Sequence, residues 1–95
     1  MNSRIEIFGA LENAIHALLA VAATERERAL QAVCEIQHLK KADFSGRVES
    51  ADFEQINAFN KELKAGTISD DHLRRLRAHF WELYKSVEKS LRQSD

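Results

Sequence analysis

Hydrophobic side chains recur at helical spacing along this chain, and polar breaks divide the pattern into successive helices. The sequence Ser3-Arg4-Ile5-Glu6 has the spacing of a capping box, which predicts that the first helix begins at Ser3. From Ile7 to Ala23 the only polar side chains are Glu12, Asn13 and His16, which fall within one narrow arc of a helix surface. We therefore expect a helix that is either central in a bundle or covered on one face by a second copy of the chain.

Small residues also occur along this first helix, at Gly9, Ala10, Ala14 and Ala17. A glycine inside a helix costs about 1 kcal/mol relative to alanine, so helix propensity does not explain Gly9. We interpret these positions as places where another helix approaches closely.

The next segment carries a second capping box, Thr24-Glu25-Arg26-Glu27. The chain from Ser3 to Lys41 is therefore either one long helix or two helices that meet near Thr24, and we favour a break there. One side of the second part is apolar, as is typical of a bundle helix that packs on one face. The residues of that side are Ala29, Leu30, Val33, Ile36 and Leu39.

A loop is predicted from Asp43 to Glu49, with Phe44 turned into the core to hold the connection. The third helix is predicted from Ser50 or Asp52 to Ala65, where apolar residues follow at helical spacing. These are Phe53, Ile56, Phe59 (or Asn60) and Leu63. Gly66 is the expected stop, in the left-handed conformation that glycine adopts most easily.

The last helix has the clearest start in the sequence. Ser69 is the predicted N-cap, and Asp70 and Asp71 follow in the first turn, where the helix dipole favours carboxylates. The helix is predicted to continue to Leu91 or Arg92. Its apolar residues alternate at spacings of three and four, which is the pattern of a short coiled-coil seam. They are Leu73, Leu76, Phe80, Leu83 and Val87.

Two large aromatic residues, Trp81 and Tyr84, lie beside that seam. Aromatic side chains at this spacing are most often core, yet Trp and Tyr are also residue types that frequently anchor protein-protein contacts. The sequence leaves both alternatives open. The predicted partner-binding residues come from this part of the helix: Phe80, Trp81, Tyr84, Arg77 and Val87.

Composition narrows the class of protein. The chain has 95 residues, no proline and three glycines, so we expect one all-α domain over residues 1–95. Its architecture is predicted to be an antiparallel helical bundle of three long or four shorter helices. The net charge of -1, from 14 basic and 15 acidic residues, provides no global field to attract nucleic acid or an anionic membrane. No stretch is apolar over the length that a membrane span needs.

Cysteine and histidine usage gives little sign of chemistry. Cys34 is the only cysteine and has apolar neighbours, which predicts a buried, unreactive thiol and a cytoplasmic location. Glu35-x-x-His38 has the spacing of bundle di-iron sites, but such a site needs a second copy of the motif, which the chain lacks. Cys34 and His38 likewise have no second pair to complete a zinc site. We expect no metal, no cofactor and no enzymatic activity.

A further candidate is His16. The segment Ile15-His16-Ala17-Leu18-Leu19-Ala20-Val21-Ala22 resembles the phosphoacceptor helix of histidine-phosphotransfer domains, which are also four-helix bundles. The resemblance implies a signalling protein in which His16 carries the phosphoryl group. Leu19 and Ala20 depart from the family, which has lysine and glycine there for the phosphoryl group and for the approach of the response regulator.

A second alternative is a DNA-binding regulator that acts through the last helix. The turn Ala65-Gly66-Thr67-Ile68 and three nearby arginines (Arg74, Arg75 and Arg77) suggest a helix-turn-helix. However, Glu62 and His72 occupy positions where that motif needs a small and a buried aliphatic residue, and Asp70 and Asp71 would repel phosphates. The arginines are better interpreted as a solvated face, paired with aspartates at i,i+4.

These features predict a small non-enzymatic protein-protein interaction module of the adaptor, regulator or inhibitor type. The expected partner is another protein or a second copy of the chain, and we favour a homodimer. Neither nucleic acid nor membrane is an expected partner.

Overall fold

The computed structural model describes residues 3–20, 23–44 and 46–93, which form four α-helices and no strand. The helices are α1 (Arg4–Leu18), α2 (Glu25–Ile36), α3 (Arg47–Ala65) and α4 (Asp70–Gln93), and a 3₁₀ turn at Lys41–Asp43 precedes α3. The all-α prediction is confirmed, and of its two alternatives the bundle has four helices. Neighbouring helices run antiparallel, with α1 against α2 and α4, and α3 against α4.

Three helices begin at hydroxyl caps, as predicted. In each, the side-chain oxygen accepts a hydrogen bond of 3.2 Å from the backbone N–H three residues later: Ser3 from Glu6, Thr24 from Glu27, and Ser69 from His72. The cap at Thr24 agrees with the break expected there, because α1 ends at Leu18 and α2 begins at Glu25. The first helix stops short of the predicted meeting point near Thr24, since Leu19 and Ala20 are no longer helical, and Val21 and Ala22 lie outside the described residues.

The third helix begins earlier than predicted, at Arg47. Its first turn is held by Glu49, whose carboxylate accepts two hydrogen bonds of 2.9 Å from the guanidinium of Arg4 on α1. That hydrogen bonding raises the pKa of Arg4. Glu49 is buried, and the helix dipole also stabilises its negative charge in the first turn of α3. A long-range ion pair therefore extends α3 into the segment predicted to be a loop.

Phe44 is buried as predicted and lies against Phe53, with 4.7 Å between the ring centroids. At the other end of α3, Gly66 adopts the left-handed conformation with φ 77°. The N–H of Thr67 then donates to the carbonyl of Glu62 at 3.0 Å, closing the helix in a Schellman-type cap. Ser45, in the predicted loop, lies outside the described residues.

All four helices contribute to one hydrophobic core. The predicted seam of α4 is buried at every position: Leu73, Leu76, Phe80, Leu83 and Val87. The predicted apolar side of the second segment is also buried, except Leu30, which is partly buried. Among the described residues, no helix has both the length and the hydropathy needed to cross a bilayer.

Two expectations about enclosed residues are wrong. Cys34 is exposed, because it follows the core residue Val33 by about 100° around α2 and so points away from the bundle. Gly9 does not mark a close approach within the chain, since a Cβ at this position would meet nothing within 4 Å. The first helix buries one face and leaves Glu12, Asn13 and His16 exposed.

Candidate protein-binding surface

Aromatic and aliphatic side chains from α1 and α4 meet on one side of the bundle. Phe8 stacks on Tyr84 with 5.2 Å between ring centroids, and Trp81 meets Tyr84 edge-on at 6.1 Å. Ile5 lies one helical turn from Phe8 and is 75% exposed, while Trp81 is 39% exposed. We call the face formed by Ile5, Phe8, Trp81, Tyr84 and Leu91 the α1/α4 surface.

The sequence of α4 explains why this face exists. Arg77, Trp81, Tyr84, Glu88 and Leu91 alternate at spacings of four and three, and most of them follow a buried seam residue by one position. One position is a rotation of about 100° around the helix. This second stripe therefore lies at the edge of the core instead of inside it, where Tyr84 contacts α1 and Arg77 reaches α2.

An open cleft of about 300 Å³ lies at the Leu91 end of the surface, lined by Phe8, Glu88, Leu91 and Arg92. Phe8 and Leu91 provide apolar walls. The guanidinium of Arg92 is 3.5 Å from the carboxylate of Glu88, so both signs of charge stand at the same cleft. This arrangement suits a large apolar side chain that carries a polar edge.

Tyr84 remains a hydrogen-bond donor at neutral pH. Partial burial raises its pKa above the ordinary value of 10.0, and the nearby negative charges of Glu88 and Glu12 raise it further, whereas Arg92 lowers it. Because the ring packs on Phe8 and Trp81, the hydroxyl adds a neutral hydrogen-bonding group to a surface that also holds the charged Glu88 and Arg92.

The structure separates the predicted partner-binding residues into three groups. Phe80 and Val87 are fully enclosed in the core, so their assignment to a partner contact is wrong for this fold. Trp81 and Tyr84 reach the surface. Arg77 is partly exposed, but its guanidinium is 3.5 Å from the carboxylate of Glu25 on α2, which makes it first of all a link between helices.

Sequence reasoning missed three members of the surface: Ile5, Phe8 and Leu91. The signal present was the i,i+3 spacing of Ile5 and Phe8, but most of the positions around α1 looked apolar and none stood out. Only the packing of α4 beside Phe8 distinguishes this side of α1 from the others.

Two histidines of α4 form interhelical pairs. His79 on α4 lies 2.8 Å from the carboxylate of Asp52, and His72 lies 2.7 Å from that of Glu62, so both pairs bridge α3 and α4. The pair of His72 and Glu62 occupies the two positions that disagreed with a helix-turn-helix. His16 is exposed, and within the described segments no three metal-binding side chains cluster.

The arginines of α4 are partly neutralised within the chain. Arg75 pairs with Asp71 at 3.1 Å, as the i,i+4 spacing predicted, and Arg77 pairs with Glu25.

No known protein family, curated protein or solved structure matches this chain.

Proposed function

We propose that this protein is a small non-enzymatic interaction module that forms a homodimer through the α1/α4 surface and works in the cytoplasm as an adaptor, regulator or inhibitor. The single observation that supports this proposal most is the partly exposed Trp81 packed edge-on against Tyr84, on a helix that also contributes Leu91 to an open cleft. Trp and Tyr at such positions commonly provide a large part of the free energy of protein association.

The shape and stiffness of the surface also support the proposal. Tyr84 is held between Phe8 and Trp81, so its ring loses little conformational entropy when a partner binds. Exposed Ile5 extends the apolar area along α1. Charged Glu88 lies between Tyr84 and Leu91 in the stripe of α4, so the surface combines apolar and charged side chains, as protein interfaces commonly do.

Charge supports another copy of this chain as the partner. The surface has carboxylates at Glu12 and Glu88 and a guanidinium at Arg92, and the whole chain is close to neutral. A surface with both signs of charge can complement itself, whereas a partner of strong single-sign charge, such as nucleic acid, finds no matching field.

The experiment is to measure solution mass by light scattering over a range of protein concentrations. We expect a dimer that dissociates on dilution, and we expect Trp81→Ala to raise its Kd by about tenfold or more. Val48→Ala is the matched control, because Val48 is an apolar side chain 64% exposed on another helix. A monomer at every concentration contradicts the proposal, as does an equal effect of the two substitutions.

Exposure of His16 supports a second candidate function, phosphotransfer. A phosphoacceptor imidazole has to stand free on the bundle, and His16 does so on α1. Against it, Leu19 and Ala20 stand where the phosphotransfer family has lysine and glycine.

This candidate is tested with phosphoramidate as phosphodonor and detection of acid-labile phosphohistidine by mass spectrometry. Phosphotransfer predicts modification of the wild-type chain that His16→Gln abolishes and His38→Gln, at another exposed histidine, preserves. Modification that is absent, or equal in the two variants, removes the candidate.

A further inference from the structure

We infer that the second copy docks with its α4 antiparallel to the first, so that Trp81 of each subunit fills the cleft beside Leu91 of the other. This inference rests on the proposed self-association and adds the register of the two helices. It follows from two features of the α1/α4 surface: the partly exposed aromatic side chain of Trp81, and an open cleft with two apolar and two charged lining residues at the Leu91 end of the same helix.

A face that carries both a protruding group and a matching cleft can pair with itself around a twofold axis, because each contact is then made twice. Trp81 and Leu91 are ten residues apart, which is about 15 Å along a helix. For Trp81 to reach the partner subunit's Leu91, the twofold axis has to pass α4 halfway between positions 81 and 91 of the chain, at the level of Ser86. The register of the dimer is thereby determined.

This register also places complementary polar groups opposite each other. Tyr84 and Glu88 lie two residues on either side of that level, so each Tyr84 faces the partner subunit's Glu88. The phenol is protonated and can donate a hydrogen bond to that carboxylate. Trp81 comes beside the partner subunit's Arg92, where the guanidinium can lie over the indole ring.

A parallel arrangement of the two helices has none of these advantages. It would place Trp81 against the partner subunit's Trp81 and leave each cleft without a matching side chain. It would also bring Glu88 next to Glu88 and Arg92 next to Arg92, and like charges oppose association. Charge and shape therefore favour the same, antiparallel pairing.

The first test is a double-mutant cycle on dimerisation with Trp81→Ala and Leu91→Ala. Within one subunit these residues are about 15 Å apart along α4, so their effects should add if they do not meet across the interface. We expect each single substitution to raise Kd by about tenfold and the double variant to raise it hardly further. Strict additivity overturns the inferred contact.

The second test does not depend on truncating any residue of the surface. In a Cys34→Ser background, which removes the exposed native thiol, a spin label is attached to Lys85→Cys or to Arg74→Cys, both at exposed positions. Pulsed dipolar spectroscopy then measures the distance between the two labels of a dimer. The antiparallel register predicts an axial offset of about 3 Å at position 85 and about 36 Å at position 74.

The outcomes separate this inference from the proposed function. A short distance at position 85 with a long one at position 74 supports the antiparallel register. Equal distances at both positions, in a protein that is dimeric, overturn the register and leave the proposed self-association intact. A protein that stays monomeric at every concentration overturns both.

Discussion

Two glycines of this chain have opposite structural roles, although both lie in or beside a helix. Gly66 ends α3 with φ 77°, where a side chain would be strained and its Cβ would lie 3.4 Å from the guanidinium of Arg26. Gly9 lies within α1 with open space where a Cβ would be. The first glycine is required by the backbone, and the second is not.

Gly66→Ala should therefore lower the free energy of unfolding by about 1–2 kcal/mol, because alanine resists the left-handed conformation. Gly9→Ala is the matched control and should raise the free energy of unfolding by about 0.5–1 kcal/mol, since it restores helix propensity without a clash. Urea denaturation followed by circular dichroism measures both. A stabilising Gly66→Ala or a clearly destabilising Gly9→Ala would contradict this account.

The pKa of Tyr84 should respond to the charge of the neighbouring Glu88. Its raised pKa results from burial and from the carboxylates of Glu88 and Glu12. Glu88→Gln removes a negative charge that opposes the phenolate, so the pKa of Tyr84 should fall toward its ordinary value. An ultraviolet absorbance titration of the phenol measures the change. Glu54→Gln on α3 is the control and should leave the titration unchanged.

The raised pKa of Tyr84 also makes the stability of the fold depend on pH in alkaline solution. A tyrosine whose pKa is raised in the folded state stabilises the fold below its ordinary pKa of 10.0 and loses this contribution as pH rises through the folded value. Tyr84→Phe should therefore reduce the loss of stability in alkaline solution.

Between elements, α3 and α4 are joined by two histidine-carboxylate pairs that differ in burial. The side chains of His79 and Asp52 are 29% and 11% exposed, whereas those of His72 and Glu62 are 37% and 40% exposed. The two pairs have nearly the same length, so burial is the main difference between them.

His79→Ala should destabilise the fold by about 1–3 kcal/mol, because it leaves a buried carboxylate without its hydrogen-bond partner. His72→Ala should cost at most about 0.5 kcal/mol, since water can replace the histidine at Glu62. Chemical denaturation at neutral pH compares the two variants. Equal losses would mean that ring packing, and not the buried hydrogen bond, decides the effect, because both rings lie against Phe59.

For the molecule as a whole, self-association links stability to concentration. If folded chains pair and unfolded chains do not, the midpoint of thermal unfolding has to rise with protein concentration. Trp81→Ala should reduce this dependence strongly while leaving the helical circular dichroism of the folded state unchanged. A midpoint independent of concentration in the wild-type chain would contradict the proposed homodimer.

How far the sequence predicted the fold depends on the range of the interactions. The caps at Ser3, Thr24 and Ser69, the stop at Gly66 and the seam of α4 were all predicted, because each arises within one or two turns of chain. The early start of α3 was not, since it depends on Arg4 reaching Glu49 from another helix. Local patterns therefore predict the elements better than their ends.

The candidate surface was predicted only in part. Trp81 and Tyr84 were identified from residue type and position, but Phe80 and Val87 were included with them and are core. Phe80 and Trp81 are neighbours in the chain and differ by a rotation of about 100° around the helix, and the seam pattern by itself does not show where the core stops. Phe8 was missed because its role depends on contact with Tyr84, on a helix far away in sequence.

The amino-acid sequence by itself determined that this protein is a helical bundle, where most of its helices begin and which stripe of α4 is buried. These properties follow from hydrogen bonds and spacing between residues three or four apart. Only the tertiary structure decided that Cys34 and His16 face solvent and that Phe8, Tyr84 and Trp81 form one surface beside a cleft. The reason is that exposure and neighbourhood depend on which helix covers which face, and that is settled by the packing of the whole chain.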